Sequence, residues 1–154
     1  RDVERSRGLG DVYKRQQWNR WTLTGEYLFQ ESRVAGFGGL FSGQKPTQGD
    51  AIYAQLEYRL SPAVSVFLRR ELGYSDKHDR NGKTAAAATA TAAHRYYHRD
   101  WALGIGWKPA NQWLLRAELH NVKGTSAVSR LENPDSSQLE KDWNLFVLQA
   151  TYRF

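Results

Sequence analysis

Apolar and polar side chains alternate along six segments of the chain, and turn-rich stretches separate these segments. In the segment AIYAQLEYRL, Ile52 and Leu56 lie on one face, whereas Gln55 and Glu57 lie on the other. A period of two is what a β-strand gives, because successive side chains point to opposite sides of a sheet. The pattern predicts about six long strands, at residues 18–29, 51–60, 64–74, 97–108, 113–120 and 143–154.

The connections between these segments are alternately long and short. Short turns lie at residues 61–63 and 109–112, and long stretches cover 36–49, 75–96 and a loop through 133–135. An all-β, antiparallel up-and-down meander that keeps its short turns at one end is typical of a transmembrane β-barrel. The alanine-rich part of the second long stretch favours a short loop helix, which would leave the meander unchanged.

The aromatic residues indicate which face meets lipid. On the apolar face, aliphatic side chains such as Leu56, Leu103 and Leu148 lie between two aromatic belts, one near the short turns and one near the long loops. The positions that we assign to this girdle are Tyr58, Tyr74, Tyr97, Trp101, Trp107, Trp113 and Tyr152. An aliphatic band with aromatic residues at both edges matches the chemistry of a bilayer.

The opposite face is charged along its length. The residues that we predict to line a lumen on this face are Arg20, Glu26, Glu57, Arg59, Arg69, Glu71, Asp100, Arg116, Glu118, His120 and Arg153. A soluble barrel would bury its apolar face instead and turn these charges to solvent. So many charges cannot fill a dry core, because burying an unpaired ion costs several kcal/mol. The arginines could form a ladder that favours anionic solutes, or the interleaved glutamates could neutralise them, so selectivity stays open.

Composition and charge narrow the function classes. Of the 154 residues, 25% are charged and none is cysteine, and the chain has no apolar run long enough for a transmembrane helix. A net charge of +6 points to anionic partners such as lipopolysaccharide phosphates, or simply to basic, solvated loops. The loop-side bases in question are Lys77, Arg80, Lys83, Arg95 and Arg99. The sequence has no recognised nucleic-acid module, so nucleic acid is not an expected partner.

Residues 1–16 differ from the rest of the chain. They show neither a strand period nor a helix period, and their ending DVYKRQ resembles translated adapter sequence at the ends of metagenomic fragments. We therefore expect a non-native or disordered segment at 1–16, followed by one domain at 17–154.

The last residues carry the most specific motif. The ending LQATYRF, with a terminal phenylalanine and alternating apolar residues before it, resembles the C-terminal signature of Gram-negative outer-membrane β-barrel proteins of the porin-like type. The resemblance implies an outer-membrane location, contact with its lipid and lipopolysaccharide, and recognition of the last strand by the barrel assembly machinery. The residues to which it assigns this assembly signal are Phe146, Leu148, Ala150, Tyr152 and Phe154.

The strand number is low for such a barrel. Six strands are fewer than the roughly eight of the smallest single-chain barrels. We therefore expect the chain to be the C-terminal part of a larger barrel. The alternative is a homo-oligomer in which several chains complete one barrel.

Few residues are candidates for chemistry. Glu118 and His120 share the charged face, and Asp100 is expected across from His120, as in a catalytic histidine–carboxylate pair. Such a site also needs a nucleophile or an activated water, and the pattern places no serine or threonine beside the histidine. We therefore expect a hydrogen-bonded lumen pair and no enzyme activity. No cofactor or metal site is expected either, because metal-ligand spacing is lacking at His78, His94 and His98.

Arg70 breaks the alternation, because it falls on the apolar face between Leu68 and Leu72. An arginine near the bilayer midplane costs about 2–4 kcal/mol. The cost would fall if the side chain reached a lipid headgroup, stacked on Trp101 of the next strand or lay in a subunit interface.

These patterns lead to three functional hypotheses. The first is a channel for passive diffusion of small solutes through a charged lumen. The second is an outer-membrane enzyme or adhesin on the same scaffold, and the third is a filled structural barrel that does not conduct.

Overall fold

The computed structural model describes residues 9–32, 46–129, 131–133, 135 and 138–154. It forms one antiparallel sheet of seven strands in sequence order, which confirms the predicted all-β, up-and-down meander. The strands are β1 (Leu9–Trp18), β2 (Trp21–Ser32), β3 (Thr47–Arg59), β4 (Val64–Tyr74), β5 (Tyr97–Trp107), β6 (Trp113–Lys123) and β7 (Asp142–Tyr152). The loop between β4 and β5 holds the predicted short helix, α1 (Lys83–Thr89), and a 3₁₀ helix (Ala93–Tyr96).

The sheet has one strand more than the alternation predicts. Residues 9–16, expected to lack regular structure, pair with β2 from Leu9 opposite Gln30 to Gln16 opposite Leu23. An edge strand needs only its backbone N–H and C=O groups to pair, so a strand can form without alternating side chains. The origin of residues 1–16 stays a prediction, and residues 1–8 lie outside the described part of the chain.

The register aligns the apolar residues of successive strands. One row runs directly across six strands, through Leu23, Leu56, Leu68, Leu103, Leu119 and Phe146. A slip of one residue in any pairing would move that strand's apolar side chains to the opposite face. We call the side of the sheet that carries this row the apolar face, and the other side the polar face.

Burial is concentrated on the polar face. Phe67, Asp100, Ala102 and Glu118 are buried there, whereas Leu103 on the apolar face is 61% exposed. The small residues of β5 make this packing possible, because a Cβ added at Gly104 would come within 2.2 Å of the Phe67 ring. Side chains of β4 and β6 can therefore meet above β5.

The connections follow the predicted alternation of short and long. At one end of the sheet, tight turns join β1 to β2, β3 to β4 and β5 to β6. At the Ser61 turn, the side-chain hydroxyl accepts hydrogen bonds from the backbone N–H groups of Ala63 and Val64. The longer connections lie at the other end, which we call the loop end. No helix in the described ranges has the length and apolar character to cross a membrane.

Candidate functional site

The predicted lumen residues that lie within strands share the polar face. They are Glu26, Glu57, Arg59, Arg69, Glu71, Asp100, Arg116, Glu118 and His120. Two others lie outside the strands: Arg20 is in the tight turn between β1 and β2, and Arg153 follows the last residue of β7.

An ion-pair network joins β4 to β6 across this face. Arg69 Nη2 donates a hydrogen bond of 2.7 Å to Glu118 Oε2, and Arg69 Nε lies 3.0 Å from Glu71 Oε1. Arg116 Nε lies 3.7 Å from Glu118 Oε1. The sequence left open whether the arginines form a ladder or are neutralised by glutamates. At Arg69 and Arg116 the geometry fits neutralisation better.

The Phe67 ring sits beneath this network, and sequence reasoning missed its role. The guanidinium carbons of Arg69 and Arg116 lie 5.5 Å and 4.9 Å from the ring centroid, within cation–π range. Gly104 leaves the space that the ring occupies. The signal was present in the sequence as an aromatic residue on the charged face of β4, but only the pairing with β5 places a glycine opposite it.

His120 contacts two carboxylates. Its Nδ1 lies 2.7 Å from Asp100 Oδ2, and its Nε2 lies 3.3 Å from Glu118 Oε2. The prediction that Asp100 lies directly across from His120 is wrong, because Ala102 occupies that position; Asp100 lies on the diagonal, and the two side chains are nevertheless hydrogen-bonded. Because both ring nitrogens face carboxylates, neither is placed to activate a hydroxyl nucleophile.

A cavity of about 230 Å³ opens beside the network on the same face. Polar side chains that line it include Glu26, Tyr53, Glu71 and His98. The register places Glu71 directly opposite Asp100, and His98 lies two residues before Asp100 on the same strand. The spacing of these residues along the chain did not indicate that Glu71, His98 and Asp100 lie together, because Glu71 belongs to β4 whereas His98 and Asp100 belong to β5.

Several loop-side bases bind the protein itself. Arg80 forms a 2.8 Å ion pair with the buried Asp50, and Arg99 donates hydrogen bonds to the carbonyl of Arg80 and to Asn81. Lys77 lies 4.9 Å from the Phe29 ring. Any contact of these bases with lipopolysaccharide stays a prediction.

The predicted aromatic girdle lies on the apolar face, but Tyr97 differs from the other members. Trp101, Trp107, Trp113 and Tyr152 are exposed, whereas Tyr97 is only 7% exposed. The segment after β6 covers its ring, since a Cβ at Gly124 would come within 2.6 Å of Tyr97 Cδ2. Tyr97 is therefore a packing residue of the loop end, which its alternation on β5 could not reveal.

Arg70 stacks on Trp101, as one of the sequence-based alternatives predicts. The guanidinium carbon lies 4.7 Å from the ring centroid, and the two residues are direct partners between β4 and β5. This contact covers a charge that lies among the aliphatic side chains of the apolar face.

The residues of the predicted assembly signal lie at or just beyond the C-terminal strand. Phe146, Leu148 and Tyr152 are exposed on the apolar face of β7, and Phe154 is exposed after it. Their recognition by the assembly machinery stays a prediction.

Comparison of the chain with protein-family models, curated proteins and solved structures gives no match.

Proposed function

We propose that this chain forms part of the wall of an outer-membrane, porin-like β-barrel whose polar face lines a channel for small solutes. The observation that carries the proposal is the inverted distribution of side chains. Leu103 and Leu148 are 61% and 72% exposed on the apolar face, whereas Asp100 and Glu118 are 3% and 8% exposed on the polar face. A large exposed apolar surface promotes association in water but is stable against acyl chains.

The strand lengths fit a bilayer. Strands β4, β5, β6 and β7 each have 11 residues. At about 3.3 Å per residue such a strand is about 36 Å long, and at a tilt of about 45° it spans about 25 Å. That span equals the height of the apolar band on outer-membrane barrels, which is about 25 Å.

Aromatic pairs near the tight turns also support an apolar face that is turned towards lipid. Trp21 and Tyr58 have ring centroids 4.5 Å apart, and Trp113 and Tyr152 have centroids 5.0 Å apart. Trp101 lies farther toward the loop end, beside Arg70. Amphipathic rings at two levels favour an interface at each edge of an aliphatic band.

The polar face combines fixed charges with accessible ones. Arg69 and Glu118 have side chains only 15% and 10% exposed and hold the wall together, while Arg59 and Glu57 are more accessible. The cavity of about 230 Å³ beside the network leaves room for water. Accessible charges next to a rigid ion-pair network are what a charged, water-filled lumen requires.

The test has two parts: the first uses the chain folded into lipid, and the second uses the assembled barrel to whose wall the chain contributes. Vesicles with brominated acyl chains should quench the fluorescence of the exposed tryptophans of the apolar face, such as Trp101, Trp107 and Trp113. Planar bilayers should show discrete conductance steps, and Arg59→Glu should shift the ion preference toward cations. Absence of quenching would reject the membrane location.

The third hypothesis, a filled barrel, has its own supporting observation. The network from Arg69 through Glu118 and His120 to Asp100 occupies the space above β5 with side chains. Quenching without any conductance would favour this filled barrel over the channel.

A further inference from the structure

Two carboxylates and an imidazole converge on the polar face between β4 and β5. Glu71 and Asp100 are direct cross-strand partners, and His98 is opposite Gly73, which has no side chain to fill the space. Each of the three residues offers one ligand atom, and these atoms all lie within 4.8 Å of one another.

Direct opposition of two acidic residues is unfavourable in an antiparallel pair, because like charges then lie close together. Arg69 offsets part of this repulsion through its Nε, 3.0 Å from Glu71 Oε1, but that contact lacks hydrogen-bond geometry. Arg69 also binds Glu118, so one guanidinium serves two carboxylates. Glu71, Asp100 and Glu118 carry three negative charges, whereas the two arginines that pair with them, Arg69 and Arg116, carry two positive charges.

Two buried atoms of the cluster Glu71, His98 and Asp100 have no hydrogen-bond partner among the described residues: Asp100 Oδ1 and His98 Nδ1. Asp100 is 3% exposed, and its other oxygen, Oδ2, is held by His120 Nδ1 at 2.7 Å. A buried acceptor without a partner is costly and calls for a ligand. Carboxylates that bind a metal are commonly held by a hydrogen bond from a second side chain, as Asp100 is by His120.

We propose that Glu71, His98 and Asp100 bind a divalent first-row transition-metal ion, with Zn²⁺ as the representative ion. One imidazole and two carboxylates suit such an ion, whereas Mg²⁺ and Ca²⁺ prefer oxygen ligands alone. In the tetrahedral geometry that Zn²⁺ prefers, bonds of about 2.0–2.2 Å place ligand atoms about 3.3–3.6 Å apart, so the three side chains close the site by moving together by up to about 1.5 Å. The adjoining cavity, lined by Glu71 and His98, gives access for the ion and for a water ligand.

Titration calorimetry with ZnCl₂ on the chelator-treated 154-residue chain, folded into detergent micelles, tests the site. We expect saturable binding of one Zn²⁺ per chain at this site, at least about tenfold tighter than binding of Ca²⁺ or Mg²⁺. His98→Asn should weaken Zn²⁺ binding at least about tenfold, because it removes the only nitrogen ligand. The matched control is His78→Asn, an exposed loop histidine outside the group, which should leave the affinity unchanged.

Equal Zn²⁺ affinity in the His98→Asn variant and the parent chain would overturn the proposal, and so would absence of saturable binding. Glu71→Gln is the second variant, since it removes a ligand charge from a side chain that is 35% exposed and therefore disturbs packing little. It should weaken Zn²⁺ binding and also alter the visible absorption of bound Co²⁺. The site does not depend on conduction: a silent bilayer with intact Zn²⁺ binding would reject only the channel.

Discussion

The two faces of the sheet are built from alternate residues of the same strands, yet they are stabilised in different ways. On the polar face, Arg69, Glu118 and His120 contact specific partners at 2.7–3.3 Å. On the apolar face, all six members of the row from Leu23 to Phe146 are exposed. The polar face is therefore stabilised by specific contacts between side chains, whereas the apolar face depends on the medium around it.

The polar face should be the more sensitive to loss of one partner. Glu118→Ala leaves Arg69 without its 2.7 Å contact in a largely buried position, and we expect a loss of about 3–5 kcal/mol in unfolding free energy. Urea unfolding in lipid vesicles measures it. Glu57→Ala is the control on the same face, because Glu57 has no ion pair within the described ranges; it should cost less than about 1 kcal/mol. Similar losses for both variants would show that the network is not specific.

The stability of the apolar face should be sensitive to an added charge rather than to the loss of a single contact. Leu103→Arg places a cation in the middle of the aliphatic row and should cost about 2–4 kcal/mol in a bilayer, whereas in water it would cost almost nothing. Unfolding in vesicles and folding yield measure the effect. Leu131→Arg, in an exposed loop position, is the control and should change stability by less than about 0.5 kcal/mol. A neutral result at Leu103 would mean that this face meets water.

Replacing a single glycine by alanine should destabilise the polar face more than the apolar face. Gly104→Ala places a methyl group 2.2 Å from Phe67 Cζ, and we expect destabilisation by about 1–3 kcal/mol. Gly25→Ala is the control, since its added carbon meets only the Tyr53 carbonyl oxygen at 3.9 Å. Phe67→Leu should partly rescue the Gly104 variant. If Gly104→Ala were tolerated as well as Gly25→Ala, the close packing of the Phe67 ring against Gly104 would be contradicted.

The smallest effect is expected at Arg70, which lies on the apolar face between Leu68 and Leu72. A double-mutant cycle with Arg70→Leu and Trp101→Leu should give a coupling of about 0.5–1 kcal/mol, because the guanidinium lies 4.7 Å from the ring. The same cycle with Trp107→Leu in place of Trp101→Leu should give no coupling. Coupling near zero in both cycles would indicate that Arg70 reaches the headgroups instead.

Much of the fold follows from local patterns in the chain. The alternation in residues 51–60 and 113–120 predicts strands because a period of two is a property of the extended backbone itself. It also predicts the common face of Leu56, Leu68 and Leu103, which the register confirms. Strand β1 escaped prediction, since its pairing with β2 uses backbone groups and needs no alternation.

The amino-acid sequence by itself determined which residues alternate, where the short turns fall and which side chains share a face, because these depend on neighbours along the chain. Contacts between distant segments needed the folded sheet. The Phe67 ring over Gly104, the covering of Tyr97 by the segment around Gly124, and the convergence of Glu71, His98 and Asp100 all depend on strand register. Register is a long-range property, because it is set by hydrogen bonds between residues far apart in the chain.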